Sequence, residues 1–234
     1  MIIRLLTNCQ GKGLEVFLKR ARPDWDILCL PHLATFYNEF SEEQIADECA
    51  KADLVFYHEK HDHPQNYPTK VPKIPMSVWY QSAPFMAQIT PEMWAEYKAN
   101  GGTPEDAVHH DFDYQKRWNN CISRMKEKEE TEQVPNSLRM SWMMRNGKEE
   151  QFQLTCNHPT SWVFRIWSDI ILMFLRKDSS SRFPYEECLE NKNLAGLPCE
   201  ESATSGARKA LGLSWGGSHE DDQSGLEIDR KAFA

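Results

Sequence analysis

The fold class is decided by residues 2–14, which read IIRLLTNCQGKGL. Ile2 to Leu6 form a short apolar run that is typical of a strand buried on both faces. Asn8 to Gly13 read as a turn, and the apolar residues that follow recur at helical spacing to about Ala21. A buried strand that turns directly into a helix predicts the start of an α/β fold.

The same alternation continues along the first 80 or so residues. The further predicted strands are Asp26–Leu30, Asp53–Tyr57 and Ile74–Tyr80. A helix is predicted to begin after Ser41 and to end near Ala52, because Ser41 fits an N-cap and Gln44 fits the capping-box position. Strands that alternate with helices predict a parallel sheet with flanking helices, and ligands bind such sheets at the carboxyl ends of the strands. Cys9 lies at such an end.

Helices dominate the prediction beyond the sheet. They cover 91–98, 112–128, 137–144, a segment that begins at Pro159, and 203–213, with a short extended segment at 152–155. The helix from Pro159 has a regular apolar spacing that predicts a buried face formed by Val163, Ile166, Trp167, Ile170, Ile171, Phe174 and Leu175. Pro159 is expected in its first turn, where the missing N–H costs nothing.

We therefore expect a single α/β domain over residues 1–215. Its sheet-forming part covers about 1–90 and its mainly helical part about 91–215. A loose tail over 216–234 is expected to follow, because this stretch is rich in glycine, serine and acidic residues.

Composition narrows the class of protein. The chain has 234 residues, of which 40% are hydrophobic and 26% charged, as in an ordinary globular protein. Its net charge of -8 argues against a strongly basic protein that binds nucleic acid. The most apolar stretch, 162–175, is broken by Arg165 and Asp169 and is too short for a membrane span. Seven widely spaced cysteines and no signal-peptide pattern predict free thiols and a cytoplasmic location.

Cys9 is the first candidate for chemistry. On a turn between a strand and a helix, backbone N–H groups and the helix dipole are expected to lower the thiol pKa. The same N–H groups, with the Asn8 amide, could form an oxyanion hole. A small buried cysteine at a tight turn is the alternative interpretation. The residues do not fit a Walker A loop or a tyrosine-phosphatase-like loop, and Gly11-x-Gly13 is only a weak dinucleotide signal.

His158 is the second candidate. It stands beside Asn157 before the predicted helix, where a histidine could act as a general base or could simply pack the turn. His58, His61 and His63 suggest a metal site, but their spacing is not the HExxH pattern that binds zinc. A solvated loop is the favoured interpretation of this cluster, and no metal is expected.

A phosphate-bearing ligand would need a stacking surface and cations. Tyr80 stands at the end of the fourth predicted strand and could supply a ring. Lys12, Arg139, Arg145 and Arg165 lie near the two motifs in sequence and could supply charge.

Four segments occur in a familiar order over residues 1–215: Leu5–Gln10, Ala52–Val55, Ile74–Phe85 and Phe152–Thr160 with the apolar helix after it. Together they resemble the WcbI-type polysaccharide biosynthesis family, which is similar to a coenzyme-A-binding acetyltransferase of capsular polysaccharide synthesis. The resemblance implies an acetyl-CoA donor and a sugar hydroxyl as acceptor. The chain departs from the family at Thr7, where the family usually has glycine before Asn-Cys-Gln.

The resemblance also implies a set of site residues. Cys9 and His158 become the catalytic candidates. The orienting or oxyanion-binding candidates are Asn8, Gln10 and Asn157, and the cofactor-binding candidates are Gly11, Lys12, Gly13, Tyr80, Arg139, Arg145 and Arg165.

Several alternatives stay open at this point. Cys9 could take the acetyl group before His158 activates the sugar hydroxyl, or His158 could activate the hydroxyl for direct attack on acetyl-CoA. An SGNH-like carbohydrate esterase and a non-catalytic nucleotide- or sugar-binding module are the competing functions. No motif specifies the acceptor sugar or the oligomeric state.

Overall fold

The computed structural model describes residues 1–30, 40–58, 70–79, 83–84, 89–107, 109–144, 151–155, 158–197 and 203–214. Four parallel strands form the N-terminal sheet: β1 (Ile2–Leu6), β2 (Asp26–Cys29), β3 (Leu54–Tyr57) and β4 (Lys73–Pro75). Their order is β2-β1-β3-β4, so β1 is central and its residue Leu5 pairs with Cys29 on one side and Phe56 on the other. This sheet and the helices around it confirm the predicted α/β class.

The fourth strand is shorter than predicted. It ends at Pro75 instead of continuing to Tyr80, and Trp79, the last described residue before Tyr80, already lies outside the strand. Pro72 and Pro75 bracket the paired segment, and proline cannot donate a ladder hydrogen bond. The apolar residues therefore continue to Trp79, whereas the pairing with β3 stops at Pro75.

Two helices contact opposite faces of the sheet. On one face, Leu6 and Val55 pack with Ile45 of α2 (Glu42–Lys51). On the other face, Thr7 and Cys29 contact α1 (Gln10–Ala21) near its first turn. The capping box of α2 forms as predicted: the Gln44 backbone N–H donates to Ser41 Oγ at 3.2 Å, and the Ser41 N–H donates to Gln44 Oε1 at 2.7 Å.

The remaining elements confirm a helical C-terminal half. They are α3 (Pro91–Ala99), α4 (Pro104–Ala107), α5 (Tyr114–Thr131), a 3-10 turn (Asn136–Leu138), α6 (Ser141–Met144), β5 (Gln153–Thr155), β6 (His158–Pro159), α7 (Ser161–Phe174), α8 (Tyr185–Glu190) and α9 (Ser205–Leu211). The single helix predicted over 137–144 is wrong, since it is divided into the 3-10 turn and α6. The cause is Glu129, whose buried carboxylate accepts the N–H groups of Met140 and Ser141 at 2.7 and 3.0 Å. Among the described helices, none is long and apolar enough to cross a membrane.

Helix α7 differs from the prediction at its start and in its buried face. Pro159 lies in β6, and Thr160 is the N-cap, so Pro159 is not in the first helical turn. The buried apolar side chains are Val163, Phe164, Trp167, Ile171 and Leu172, whereas Ile166, Ile170, Phe174 and Leu175 are half-buried. Apolar residues occupy most of the helix circumference, so their spacing alone cannot select the buried arc. Packing against α1 selects it, with the rings of Phe17 and Phe164 5.9 Å apart.

The chain divides into two compact units. The first comprises Met1–Trp79, Met125–Ser141 and Pro159–Leu197, and the second comprises Tyr80–Arg124, Trp142–His158 and Pro198–Ala234. The first contains the sheet, α1, α2 and α7. The second has its own aromatic core, which includes Trp94, Phe112 and Trp118. The predicted single domain over 1–215 stays a prediction.

Candidate active site

Cys9 lies where the central strand ends and α1 begins. It is the residue before α1, and only 6% of its surface is exposed. Its own side chain does not cap the helix. The Asn8 side chain performs that task instead, because its Oδ1 accepts the Gln10 N–H at 3.0 Å. The turn thus presents a cysteine at the carboxyl edge of a parallel sheet, the place at which ligands bind in this class of fold.

The expectation of a lowered thiol pKa at Cys9 is wrong. Burial raises the pKa of Cys9, and this desolvation outweighs the stabilisation of a thiolate by the N–H groups of Cys9 and Gln10 and by the charge of Lys12. A helix terminus lowers a thiol pKa when solvent or fixed dipoles can stabilise the anion, and this thiol is nearly enclosed. At neutral pH the Cys9 thiol therefore carries its proton.

Gln10 connects the turn to the chain segment that follows β4. Its Nε2 donates to the Trp79 carbonyl at 2.6 Å, and its Oε1 accepts the Trp79 N–H at 3.0 Å. Both residues are almost completely buried. The Gln10 carboxamide is thus committed to a backbone pair, which makes it a positioning group for this edge of the sheet. The sequence does not reveal this bond, since 69 residues separate its partners.

Packing accounts for the two glycines at the start of α1, which begins at Gln10, so the predicted turn over Asn8 to Gly13 is wrong beyond Cys9. A Cβ on Gly11 would overlap Thr7 Oγ1 and would lie 2.7 Å from Cys29 Sγ. A Cβ on Gly13 would overlap the Phe164 ring. These two residues, predicted to bind a cofactor, are therefore required by the close approach of α1 to the sheet and to α7. Lys12, which is half-buried between them, places a positive charge near Cys9.

The arginines of the predicted cofactor set have protein partners where they are described. Arg139 Nε donates to the Val134 carbonyl at 3.1 Å. Arg165 is paired with Asp169 and donates to the Phe183 carbonyl at 3.0 Å. Partial burial lowers the pKa of Arg165. Tyr80, Arg145 and Asn157 lie outside the described residues.

His158 belongs to the second unit and Cys9 to the first. His158 lies in the two-residue strand β6, not on a loop at the helix entrance, and it is 9% exposed. The pairing of His158 with Cys9 stays a prediction.

His58 directly follows β3, the strand next to β1. Its backbone N–H donates to the Leu6 carbonyl at 3.1 Å, and its side chain is completely buried. It therefore shares the carboxyl edge of the sheet with Cys9, and its position directly after a predicted strand was the signal that could have singled it out from the histidine cluster. His61 and His63 lie outside the described residues. Within the described ranges, no three histidine, cysteine or acidic residues are grouped so that they could hold a metal ion.

Comparison with known proteins gives a match in structure but not in sequence. No family model matches the chain, and no curated protein matches it by sequence. A solved structure of WcbI, described as a polysaccharide biosynthesis enzyme in its native form without a disulfide bond between coenzyme A and one of its cysteines, superposes with a TM-score of 0.61. The match covers 99% of this chain and 94% of that one at 15% sequence identity. At this identity, the similarity establishes that the chain has the same fold as this enzyme.

Proposed function

We propose that this protein is a coenzyme-A-dependent O-acetyltransferase that acetylates a sugar hydroxyl in polysaccharide biosynthesis. The observation that carries the proposal is the place of Cys9: a cysteine at the carboxyl end of the central strand, beside Lys12, in the fold of an enzyme described with coenzyme A. A cytoplasmic location, where acetyl-CoA is available, belongs to the same proposal.

Each group at the edge of the sheet has a role in this proposal. The Lys12 ammonium would attract the phosphates of coenzyme A. The side-chain NH2 group of Asn8 would stabilise the oxyanion that develops on the acetyl carbonyl, whereas the N–H groups of Gln10, Gly11 and Lys12 already donate within the turn. The Gln10–Trp79 pair would hold this turn in position. Arg139 and Arg165 would have a structural role, and not a role in ligand binding. Tyr80, Arg145 and Asn157 remain proposed ligand contacts.

Direct transfer is the favoured route. In it, His158 removes the proton of the sugar hydroxyl, the hydroxyl oxygen attacks the acetyl carbonyl, and the C–S bond breaks to release coenzyme A as a thiolate. The raised pKa of Cys9 supports this route, because a protonated thiol is a poor nucleophile. The covalent route would require a base to take the Cys9 proton before the sulfur attacks, after which the sugar would receive the acetyl group from the Cys9 thioester.

Isothermal titration with coenzyme A and acetyl-CoA tests the donor. We expect saturable binding by the wild-type chain and weaker binding after Lys12→Met. Lys126→Met is the matched control, since it removes the charge of a lysine that lies on α5. The absence of binding by the folded protein at millimolar ligand would contradict the proposal.

Incubation with the disulfide of coenzyme A locates the ligand. Under alkaline conditions that ionise part of the Cys9 thiol, thiol–disulfide exchange would join Cys9 to one coenzyme A and release the other as a free thiol. Mass spectrometry of the intact chain is expected to show one addition, which Cys9→Ala abolishes and Cys121→Ala retains, since Cys121 is also a buried free cysteine but lies on α5. Acetyl transfer in Cys9→Ala would exclude the covalent route, whereas acetate release without coenzyme A would favour the esterase.

A further inference from the structure

Helix α7 has an apolar stripe on the side away from its buried arc. Its members are Trp162, Ile166, Ile170 and Met173, and we call them the α7 stripe. At 100° per residue they fall within one quarter of the helix circumference. Met173 is 75% exposed and the other three are half-buried. Tyr185 of α8, itself 45% exposed, extends the stripe by an edge-on contact with Trp162 at 6.2 Å.

One edge of the stripe is charged in a way that suits a second copy of itself. Arg165 and Asp169 form an ion pair one helical turn apart along that edge, where Arg182 Nε also lies 3.3 Å from Asp169 Oδ1. Consider a two-fold axis that lies between two facing stripes, crosses them at their middle and is perpendicular to both helices. This axis makes the two helices antiparallel and places their charged edges on the same side of the pair. Arg165 of each copy then faces Asp169 of the other copy. The same operation brings Ile166 opposite Ile170, and Trp162 opposite Met173.

We propose that the α7 stripe is a homodimer interface in which two copies of α7 pack antiparallel about this two-fold axis. Isologous contacts of this kind are the commonest basis of soluble dimers. The net charge of -8 on the whole chain favours this occupant over an anionic bilayer.

The size of the surface sets the expected affinity. Helix α7 has 14 residues and is therefore about 21 Å long. A single helix pair of this length buries less than a standard interface, which places the dimer in the reversible class. We expect a dissociation constant of about 10–100 μM.

Sedimentation velocity of the full chain from about 2 to 400 μM tests the surface, a range that brackets this constant. The wild type is expected to change from 27.2 kDa to twice that mass over this range. Met173→Glu adds a carboxylate to the stripe and should weaken association at least tenfold. Trp142→Glu is the matched control, because Trp142 is 51% exposed and lies outside the stripe, and it should associate like the wild type. A wild type that stays monomeric throughout, or a dimer that Met173→Glu leaves unchanged, would overturn the proposal.

A charge-reversal mixture tests the two-fold geometry. Arg165→Glu alone places two carboxylates opposite each other across the axis, and Asp169→Arg alone places two guanidinium groups there. Each variant should self-associate at least tenfold more weakly than the wild type. An equal mixture of the two should recover association, because each copy then meets its opposite charge at both positions. Circular dichroism of each variant verifies the fold. Two folded variants that remain monomeric when mixed would refute the antiparallel pairing.

Discussion

Replacing Gly11 with alanine is predicted to destabilise the protein, although alanine is the better helix former. Gly11 lies in the first turn of α1, where exchange to alanine without steric conflict would stabilise a helix by up to about 1 kcal/mol. Here the added Cβ would overlap Thr7 Oγ1 and would lie 2.7 Å from Cys29 Sγ. All three residues are buried, so neither neighbour can move into solvent. Overpacking of this kind costs about 3 kcal/mol, which leaves a net loss of about 2 kcal/mol.

The same geometry predicts that the loss is coupled to Thr7. Thr7→Ala removes the oxygen that Gly11→Ala would meet, while Thr7 Cβ would stay 3.2 Å from the new methyl group. Alone, Thr7→Ala should cost about 1–2 kcal/mol, since it empties a buried site and breaks the 3.2 Å hydrogen bond to the Asn8 carbonyl. The double variant should lose about 1 kcal/mol, well below the sum of the two single losses.

Urea unfolding followed by circular dichroism measures these free energies. Gly13→Ala is the control, because its Cβ would overlap the Phe164 ring and not Thr7. We expect Gly13→Ala to destabilise the protein with no relief from Thr7→Ala. The reasoning fails if Gly11→Ala is as stable as the wild type, or if the losses from Gly11→Ala and Thr7→Ala simply add. If the losses are not additive, the Thr7 side chain fills the space that a side chain at position 11 would need.

Three further predictions concern buried groups and a helix cap. Burial raises the pKa of Cys29 to about 12, whereas the same thiol in the unfolded chain ionises near pH 9. Between these two pH values the unfolded chain loses the Cys29 proton and the folded chain keeps it. The contribution of Cys29 should therefore lower the free energy of unfolding by about 1.4 kcal/mol for each pH unit. Guanidinium unfolding at about pH 8 and 10.5 should show a shallower loss in Cys29→Ala than in the wild type. The buried carboxylate of Glu129 accepts hydrogen bonds from Ser77, Met140 and Ser141. Glu129→Gln should therefore lower the free energy of unfolding by about 2 kcal/mol. An unchanged urea midpoint would contradict this role. Ser41→Ala breaks the capping box of α2 and should lower stability by about 1 kcal/mol in the same assay, whereas the exposed Glu43→Ala should have little effect.

Local sequence rules were sufficient for much of the first unit. The strand at Ile2–Leu6 and the capping box at Ser41 and Gln44 agree with the structure, and a helix follows the strand as predicted, although it begins at Gln10, inside the predicted turn. Each depends on residues within a few positions of one another, because strand alternation, helical spacing and helix caps are short-range effects. The position of Cys9 at the carboxyl edge of the sheet followed from the same rules.

Tertiary structure decided the features that depend on distant neighbours. The raised pKa of Cys9 comes from enclosure by the fold and opposes the local effect of the helix N-terminus. The Gln10–Trp79 pair joins residues 69 positions apart, and the buried arc of α7 was selected by its contact with α1. The sequence alone determined the alternation of strands and helices in the N-terminal part and the position of Cys9 at a strand end. Only the packed chain decided which faces are buried and which groups keep their protons, because desolvation and side-chain overlap exist only once distant segments meet.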